Sequence, residues 1–468
     1  MQRTAVRQSR CTSGVPRSLA LWYAVFLLTG THTAWAAGVV GTGTAASCTD
    51  AVLTAALAHG GLVSFNCGGG PVTIDISAGT GTKPVDSDTT LDGGGLITIS
   101  GGNAVPVFSV DRGVTFTVRN LALANGGRAR AIYNDAGTLM VTNSTFSDNG
   151  AGAIYNYTGT LTVTNSAFSD NSGGGIYNYA GILTVTNSTF SNNSGAIYND
   201  NGMVAVASST FSGNSAGSGG AIFSGGGILS HVGELTVANC TFWDNSAGSG
   251  GAIYKDAGML TITNSTFSGN SAGSGGSIWV MGAVLLRNTI VANSPSGDNC
   301  FGSITDSGHN LEDGTTCGFS TASSLSSTDP QLDPAGLSHN GGPTQTLALC
   351  TDVDVPTGCA AASPAIEAGD QAICAAQPVN HRDQRGFVRP GAGHTRCSIG
   401  AYEPGRSGTC VGDCDAGGSV TVEKIITLVN IVLGNAELAA CPAGIPNGAA
   451  VDIALILQAV NNTLSGCG

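Results

Sequence analysis

The sequence predicts a mainly β solenoid: a parallel β-helix with an N-terminal cap and a small α-helical module at its C-terminal end. Three observations predict it. Between Ala131 and Asn293 one phrase recurs: Leu-Thr-Val-Thr-Asn-Ser-Thr-Phe-Ser-x-Asn, a turn rich in Gly, Ala and Ser, then Ala-Ile-Tyr. Its isoleucines stand at Ile132, Ile154, Ile176, Ile197, Ile222, Ile253 and Ile278, a period of 21 or 22 residues at first and 25 to 31 later, and Phe146, Phe168, Phe190, Phe211, Phe242 and Phe267 keep step. A period of this size marks a solenoid, whose repeats each pack on their neighbours alone. Within the period Gly, Ser, Asn and Thr fill the spaces and no helical periodicity survives, which excludes a leucine-rich repeat frame.

Every segment of a period reads as a short strand. In Leu235-Thr-Val-Ala-Asn239 alternate residues are apolar, as a strand with one buried face requires. After the Asn the phase shifts; Cys240 and Phe242 share a parity, as Leu121 and Leu123 do earlier, and these positions are expected to point inward. A third strand carries the Ile and its flanking Ala. Three strands per ~22 residues make one turn of the coil, with turns ~4.8 Å apart. Asparagines recur at the corners: Asn143, Asn165, Asn187, Asn239, Asn264 and Asn288 in one column, and Asn125, Asn149, Asn171, Asn193, Asn214, Asn245, Asn270 and Asn293 in another. Asn tolerates left-handed backbone and its amide can bond the amides above and below, so both columns read as structural. The competing reading is a polar ligand-binding stripe.

At the N-terminus Arg3, Arg7, Arg10 and Arg17 precede an apolar run, Leu19 to Leu28, followed by Ala34-Trp35-Ala36. This is the pattern of a signal peptide over residues 1–36, cleaved after Ala36; the run is short for a membrane anchor, and no later segment could span a bilayer. Within residues 37–74, Ser47 to Gly60 reads as a capped helix able to cover the open end of a solenoid. Repeats are expected over 75–299, opening with Leu91-Asp-Gly-Gly-Gly-Leu-Ile-Thr-Ile-Ser100.

Two motifs alternate along the repeats. Phe-x-x-Asn runs from Phe146 to Asn149, Phe168 to Asn171, Phe190 to Asn193, Phe211 to Asn214, Phe242 to Asn245 and Phe267 to Asn270; Gly-Gly-Ala-Ile runs from Gly219 to Ile222 and Gly250 to Ile253. Together they resemble the repeats of polymorphic outer-membrane proteins, which are right-handed β-helical surface adhesins. The resemblance implies a right-handed, pectin-lyase-like coil, display at the cell surface in association with the outer membrane, and a surface polysaccharide or a neighbouring-cell or host ligand as partner. Those adhesins end in a membrane barrel. Only 64 residues follow Pro404 here, too few for one at ~10 residues per barrel strand.

Over 300–404 the repeats give way to Asp/Pro/Gly/Ser loops. Asn340-Gly-Gly-Pro-Thr-Gln-Thr, Ser363-Pro-Ala-Ile-Glu-Ala-Gly369, Asp383-Gln-Arg-Gly386 with Arg389-Pro390, and Ile399-Gly-Ala-Tyr-Glu403 closely match the choice-of-anchor Q region that ends many bacterial β-helix proteins. That family usually has Asp before Ile-Gly-Ala-Tyr-Glu, where Ser398 stands here. The resemblance implies a region followed by a surface-attachment device, and no catalysis. The tail, 405–468, supplies two amphipathic helices that align at an offset of 31, pairing Ile425 with Ile456, Val429 with Val460, Asn430 with Asn461 and Cys410 with Cys441. The loop before the first resembles the calcium loop of dockerins and EF-hands, with Asp413, Asp415, Thr421 and Glu423 as candidate ligands of one weakly held calcium. Gly417 at position five and Lys424 at position twelve forfeit two ligands, and the second loop, Gly444-Ile-Pro-Asn-Gly-Ala449, has lost its acids. Calcium and disulfides are the two staples open to so small a unit. Likeness to dockerins also implies a cohesin-like partner.

Seventy-one Gly, three Lys, 10% charged residues and a net charge of -13 argue against nucleic acid, which needs basic patches. Fourteen Cys fit export. Cys11 leaves with the signal, and Cys240 takes the Ser slot of a repeat, reading as a buried free thiol. Local spacing suggests Cys48 with Cys67, Cys300 with Cys317, Cys350 with Cys359, Cys374 with Cys397, and a group of four at Cys410, Cys414, Cys441 and Cys467. Zinc, the rival reading, lacks paired Cys-x-x-Cys spacing.

Pectin-lyase-like folds include lyases and hydrolases, so catalysis has to be weighed. Hydrolysis needs two carboxylates across a sugar; a lyase needs clustered acids for calcium and a basic residue. Asp148 and Asp170 occupy one slot of successive repeats and are the best catalytic candidates, with Arg128 and Arg130 nearest in sequence; solvated turn residues are the competing reading. A triad of His381, Asp383 and Ser398 lacks a nucleophile elbow. The expectation is an exported, non-catalytic adhesion or scaffold module with a dockerin-like tail; the alternative is a carbohydrate-active enzyme, a polysaccharide lyase or glycoside hydrolase.

Overall fold

The computed structural model describes residues 38–79, 81–127, 130–224, 233–391, 394–404, 411–414, 420–442, 444–445 and 451–465; the signal-like segment lies outside them. Each turn of the coil contributes three strands. In one turn these are Ile154–Asn156, Thr160–Thr164 and Ala167–Ser169; in the next, Ile176–Asn178, Ile182–Thr186 and Thr189–Ser191. Each strand pairs in parallel with its equivalent one period on, Ile154 with Ile176, Leu161 with Leu183 and Phe168 with Phe190. The first strands of the turns form a ten-stranded sheet, and the second and third share a 21-stranded one. This is the mainly β parallel solenoid that the period predicts. Pairing begins with Gly38–Val40 on Gly61–Phe65, inside the segment read as a cap, and ends with Leu311–Glu312.

Alternation within each strand puts one residue type per slot into the core. Ile154, Leu161, Val163 and Phe168 are fully buried, as are their counterparts along the coil. The six phenylalanines stack face to face with centroids 4.4 to 5.0 Å apart. Each such side chain contributes about 1.5–3 kcal/mol by burial. Cys240 is a buried free thiol in the Ser column, its Sγ 3.2 Å from the Ala238 carbonyl, as Ser166 Oγ is 2.8 Å from that of Thr164.

The asparagine columns separate into three kinds. Asn143, Asn165, Asn187, Asn239, Asn264 and Asn288 hold left-handed corners, with φ between 46° and 51°. Asn149, Asn171, Asn193, Asn214, Asn245 and Asn270 form a buried amide ladder, each Nδ2 donating to the next Oδ1 at 2.8 to 3.0 Å. Asn125 and Asn293 do not belong to this ladder. Register pairs Ala124 with Ser147 and Ser268 with Ala292, so Asn125 stands level with Asp148 and Asn293 with Gly269, one residue earlier, at left-handed φ values of 54° and 57°. A second ladder, unread in the sequence, runs through Asn134, Asn156, Asn178 and Asn199 in 2.8 Å steps. Each of its amides also donates to the carbonyl three residues on, as Asn156 does to Gly159. The column continues through Ser224 into Lys255, whose buried ammonium donates to the Gly233 carbonyl (2.6 Å) and Ser224 Oγ (3.2 Å). Burial pushes the Lys255 pKa down to about 8.

At the N-terminal end, helix α1 (Asp50–Leu57) is capped by Thr49 Oγ1, which accepts from Val52 N, and buries Leu53 and Leu57. Asp50 pairs with the buried Lys83 of the first turns. At the other end, residues 313–404 form a strap of loops with one short helix, α2 (Gln371–Ala375), which lies back along the flank of the coil. Thr344 reaches the Ser208 carbonyl; Gln384 Nε2 bonds Thr210 Oγ1 and Thr344 Oγ1, and Thr241 Oγ1 donates to Gln384 Oε1. Asn239 Nδ2 donates to the Arg382 carbonyl and Asn288 Nδ2 to that of Asp370, while Ala401 N donates to Thr266 Oγ1. The same corner asparagines are therefore exposed at Asn143 and Asn165 and buried at Asn239, Asn264 and Asn288, where the strap covers them. Disulfides join Cys48 to Cys67, Cys300 to Cys317, Cys350 to Cys359, Cys374 to Cys397 and Cys414 to Cys441; Cys410 and Cys467 lie outside the described residues. In the tail, α3 (Val422–Val432) and α4 (Ile453–Ser465) share a small core around Leu428, Leu455 and Ala459.

Candidate binding surface

Asp148 and Asp170 do stand side by side, since Ser147 pairs with Ser169. Both are exposed, and both have left-handed backbone at φ 56°. The same slot holds Asn192 (54°), Gly213 (63°), Asp244 (54°) and Gly269 (72°), residues that tolerate this conformation. Corner geometry thus accounts for the two carboxylates without a reaction. Arg128 lies outside the described residues, and Arg130 rests against Tyr155 and Tyr177.

Two of the three triad residues, Asp383 and Ser398, are engaged elsewhere. Asp383 binds Arg385 at 2.6 Å and accepts from Arg385 N, Phe387 N and Glu403 N; Ser398 donates its Oγ and its N–H to the Glu403 carboxylate. Glu403 also holds the fully buried Arg389 at 3.2 Å. Arg385 is sandwiched by Phe387 and Tyr402, its guanidinium 4.0 and 3.8 Å from the ring centroids. The motifs of this region therefore build a buried polar clamp that fixes the strap.

In the tail loop, Asp413 is buried and its carboxylate accepts from Lys424 Nζ at 2.8 Å. Thr421, the N-cap residue of α3, donates its hydroxyl to Glu423 at 3.2 Å, and Asp415 lies outside the described residues. The Lys424 ammonium thus already engages one oxygen of the Asp413 carboxylate. Among the described residues no three His, Cys, Asp or Glu stand together as a metal site.

A different surface is more suggestive. The residue after each Ile points outward, and Tyr133, Tyr155, Tyr177, Tyr198, Phe223, Tyr254, Trp279 and Phe301 stack into a ladder along the ten-stranded sheet, with centroids 4.2 to 5.8 Å apart and planes within 14° of parallel. Stacking consumes the ring faces, so edges and phenol hydroxyls meet solvent. Burial within the stack raises the Tyr177 pKa to about 12. Arg130 lies 4.5 and 4.9 Å from two rings that are themselves 5.0 Å apart, a nearly equilateral triangle, so its guanidinium flanks the stack instead of entering it. Beside it opens a cleft of about 580 Å³ lined by Thr82, Pro106, Phe108, Ser109, Arg130, Tyr133, Ala151 and Tyr155. The ladder was legible: carrying the Ile period one residue forward spells out all of it but Phe301, which follows Cys300.

A family model described as the right handed beta helix region matches residues 96–231 and, overlapping, 129–312. The coil is a right-handed β-helix. No curated protein matches this sequence. Among solved structures, that of a pectate lyase, Pel9A, is similar, with a TM-score of 0.43 and 16% identity over 75% of this chain and 90% of that one.

Proposed function

We propose that this protein is an exported, surface-displayed adhesion or scaffold module without catalytic activity, its coil facing a polysaccharide or a neighbouring-cell ligand and its tail serving attachment. One observation carries the reading: the side-by-side carboxylates Asp148 and Asp170 occupy corner slots that Asn192 and Gly213 fill equally well, with no described base facing them. Lyase and hydrolase chemistry both need more than this. Five disulfides among the described residues support an oxidising, extracytoplasmic setting, and no described helix is long and apolar enough to cross a membrane. The choice-of-anchor and dockerin resemblances assign attachment to the region after the coil, through a cohesin-like partner and with at most one weak calcium. The test is a screen of the purified protein against pectins and other polysaccharides, reading unsaturated products and reducing ends. No turnover is expected; activity abolished by Asp148→Asn or Asp170→Asn would replace this reading with a carbohydrate-active enzyme.

A further inference from the structure

The turns that follow the first buried amide ladder come in two lengths. The isoleucine that reopens the coil stands five, five and four positions after Asn149, Asn171 and Asn193, but eight positions after Asn214, Asn245 and Asn270. Three short turns are thus followed by three long ones, and the flank of the coil carries a step. Each long turn begins with the same hexapeptide, Ser-Ala-Gly-Ser-Gly-Gly, at 215–220, 246–251 and 271–276. Within it Ser215–Ser218 and Ser246–Ser249 pair in parallel, and bridges from Ser246 to Ser271 and on to Ser296 carry this ledge along the later turns.

The ledge has an open edge. Ser215 N donates to the Asn193 carbonyl at 2.9 Å, but the turn after Asn193 is too short to supply a strand, and among the described residues the two-stranded sheet ends at Ser215–Ser218. Ser215 and Gly217 are exposed there. On the open side the step leaves a notch with a cavity of about 120 Å³, lined in part by Gly174, Ser194, Gly195, Tyr198, Ala216 and Ser218. Unpaired backbone at such an edge is a template for a further strand.

The step is its own complement. Turned end for end about a twofold axis at the open edge, a second copy sets its three long turns against the three short ones, and its Ser215–Ser218 strand fills the notch antiparallel to the first. None of the six turns contains a charged residue, so this face brings no like charges together in a chain of net charge -13. Beyond them the signs differ. Arg130 closes the turn before the short ones, and the exposed Asp298 lies in the turn after the long ones. Inversion sets those two turns level.

We infer that this flank is an interface between two copies of the chain, closed by antiparallel pairing of their Ser215–Ser218 edges. An interface that uses one patch twice stops at a dimer. The pairing involves neither the aromatic ladder nor the carboxylates Asp148 and Asp170, so it stands or falls apart from the adhesion reading.

Analytical ultracentrifugation of the full chain over a range of concentrations tests it. A concentration-dependent dimer that grows no further is expected. Gly217→Arg should raise its dissociation constant about tenfold or more, because a Cβ there meets nothing within 4 Å in its own copy while the long charged side chain occupies the partner strand's place. The melting temperature of that variant should match the parent or exceed it. A second variant replaces residues 194–196 by the seven residues 215–221, giving the last short turn a ledge strand of its own. It should fold with the melting temperature kept or raised and lose dimerisation to the same degree. A monomer up to about 1 mM, oligomers that lengthen without limit, or a dimer indifferent to both changes would overturn the proposal.

Discussion

Replacing Asn171 by alanine should damage this coil more than any corner substitution. Its amide is the second of six in the buried ladder and makes four bonds: Nδ2 to Asn193 Oδ1 (2.8 Å) and the Phe146 carbonyl (3.1 Å), and Oδ1 from Asn149 Nδ2 (2.8 Å) and Asn149 N (3.2 Å). Asn171→Ala deletes all four and strands the buried Asn149 N–H, while Asn193 Oδ1 keeps the Asn171 N–H (3.2 Å) and Asn149 Nδ2 keeps the Leu123 carbonyl (3.4 Å). The stranded donor costs about 1–3 kcal/mol and each of the three other lost bonds about 1 kcal/mol, so the low end is about 4 kcal/mol. Asn165→Ala is the control. That residue is exposed and left-handed at φ 49°, and alanine there costs about 1–2 kcal/mol of backbone strain. The expected gap is therefore about 2–3 kcal/mol, read as a difference in urea midpoint at constant m, with hydrogen exchange at the Asn149 amide accelerated only in the ladder variant. Asn171→Asp should resemble alanine, because a carboxylate offers no hydrogen to Asn193 or Phe146. Equal destabilisation by Asn165→Ala and Asn171→Ala would refute the argument that the ladder, and not the corner, carries the energy.

Other outcomes follow from the same geometry. Deleting Ile154 through Gly175 rejoins equivalent positions in register and should keep the far-ultraviolet circular dichroism of the coil; deleting 154–164 puts a whole turn out of phase, where Ile154, Leu161, Val163 and Phe168 together represent about 6–12 kcal/mol of burial. Lys255 titrates near 8 in the fold against 10.5 when unfolded, so the unfolded chain holds more protons between those values and stability should rise with pH across that window, by up to about 1.4 kcal/mol per unit. Urea titrations from pH 7 to 10 should show this slope, and Lys255→Met should flatten it. Lys424→Glu removes the ammonium from Asp413 and restores an acid at position twelve of the loop, so calorimetry should detect calcium binding tighter than in the parent chain by about tenfold or more. No gain would mean that the loop is no degenerate calcium site.

Much of the coil was legible because a solenoid repeats its register, and each slot of the period shows its chemistry several times over. The Phe slot, the corner Asn slot and the Ser slot holding Cys240 all stand where the period puts them. The ladder Asn slot failed at its ends. Neighbouring positions such as Asp148-Asn149 and Asn192-Asn193 carry similar residues, and only pairing of Ala124 with Ser147 shows that Asn125 belongs with the left-handed residue before the ladder. The strap was legible as motifs but not as a docked element, because its partners, Thr210, Thr241 and Asn239, look in the sequence like every other Thr and Asn of the repeat. Arg130 was noticed as a countercharge for Asp148 and Asp170. Its contact with Tyr155 and Tyr177 depends on which way a turn leaves the coil, and spacing alone cannot carry that.

The strap also decides how the molecule answers to a pull. Its chain leaves the coil at Glu312, travels back to the turn of Ser208, and returns past Asn288 before running on beyond Glu403 towards the tail. Tension entering from the C-terminal side is therefore delivered first to the Arg389 and Arg385 clamp, and further travel must strip Gln384 from Thr210 and Thr241. The backbone bonds that join one turn of the coil to the next stand behind that fuse in series. A tethered molecule would yield by lifting its strap before its coil begins to unravel, so extension under load should come in an early small step followed by larger ones of about one period each.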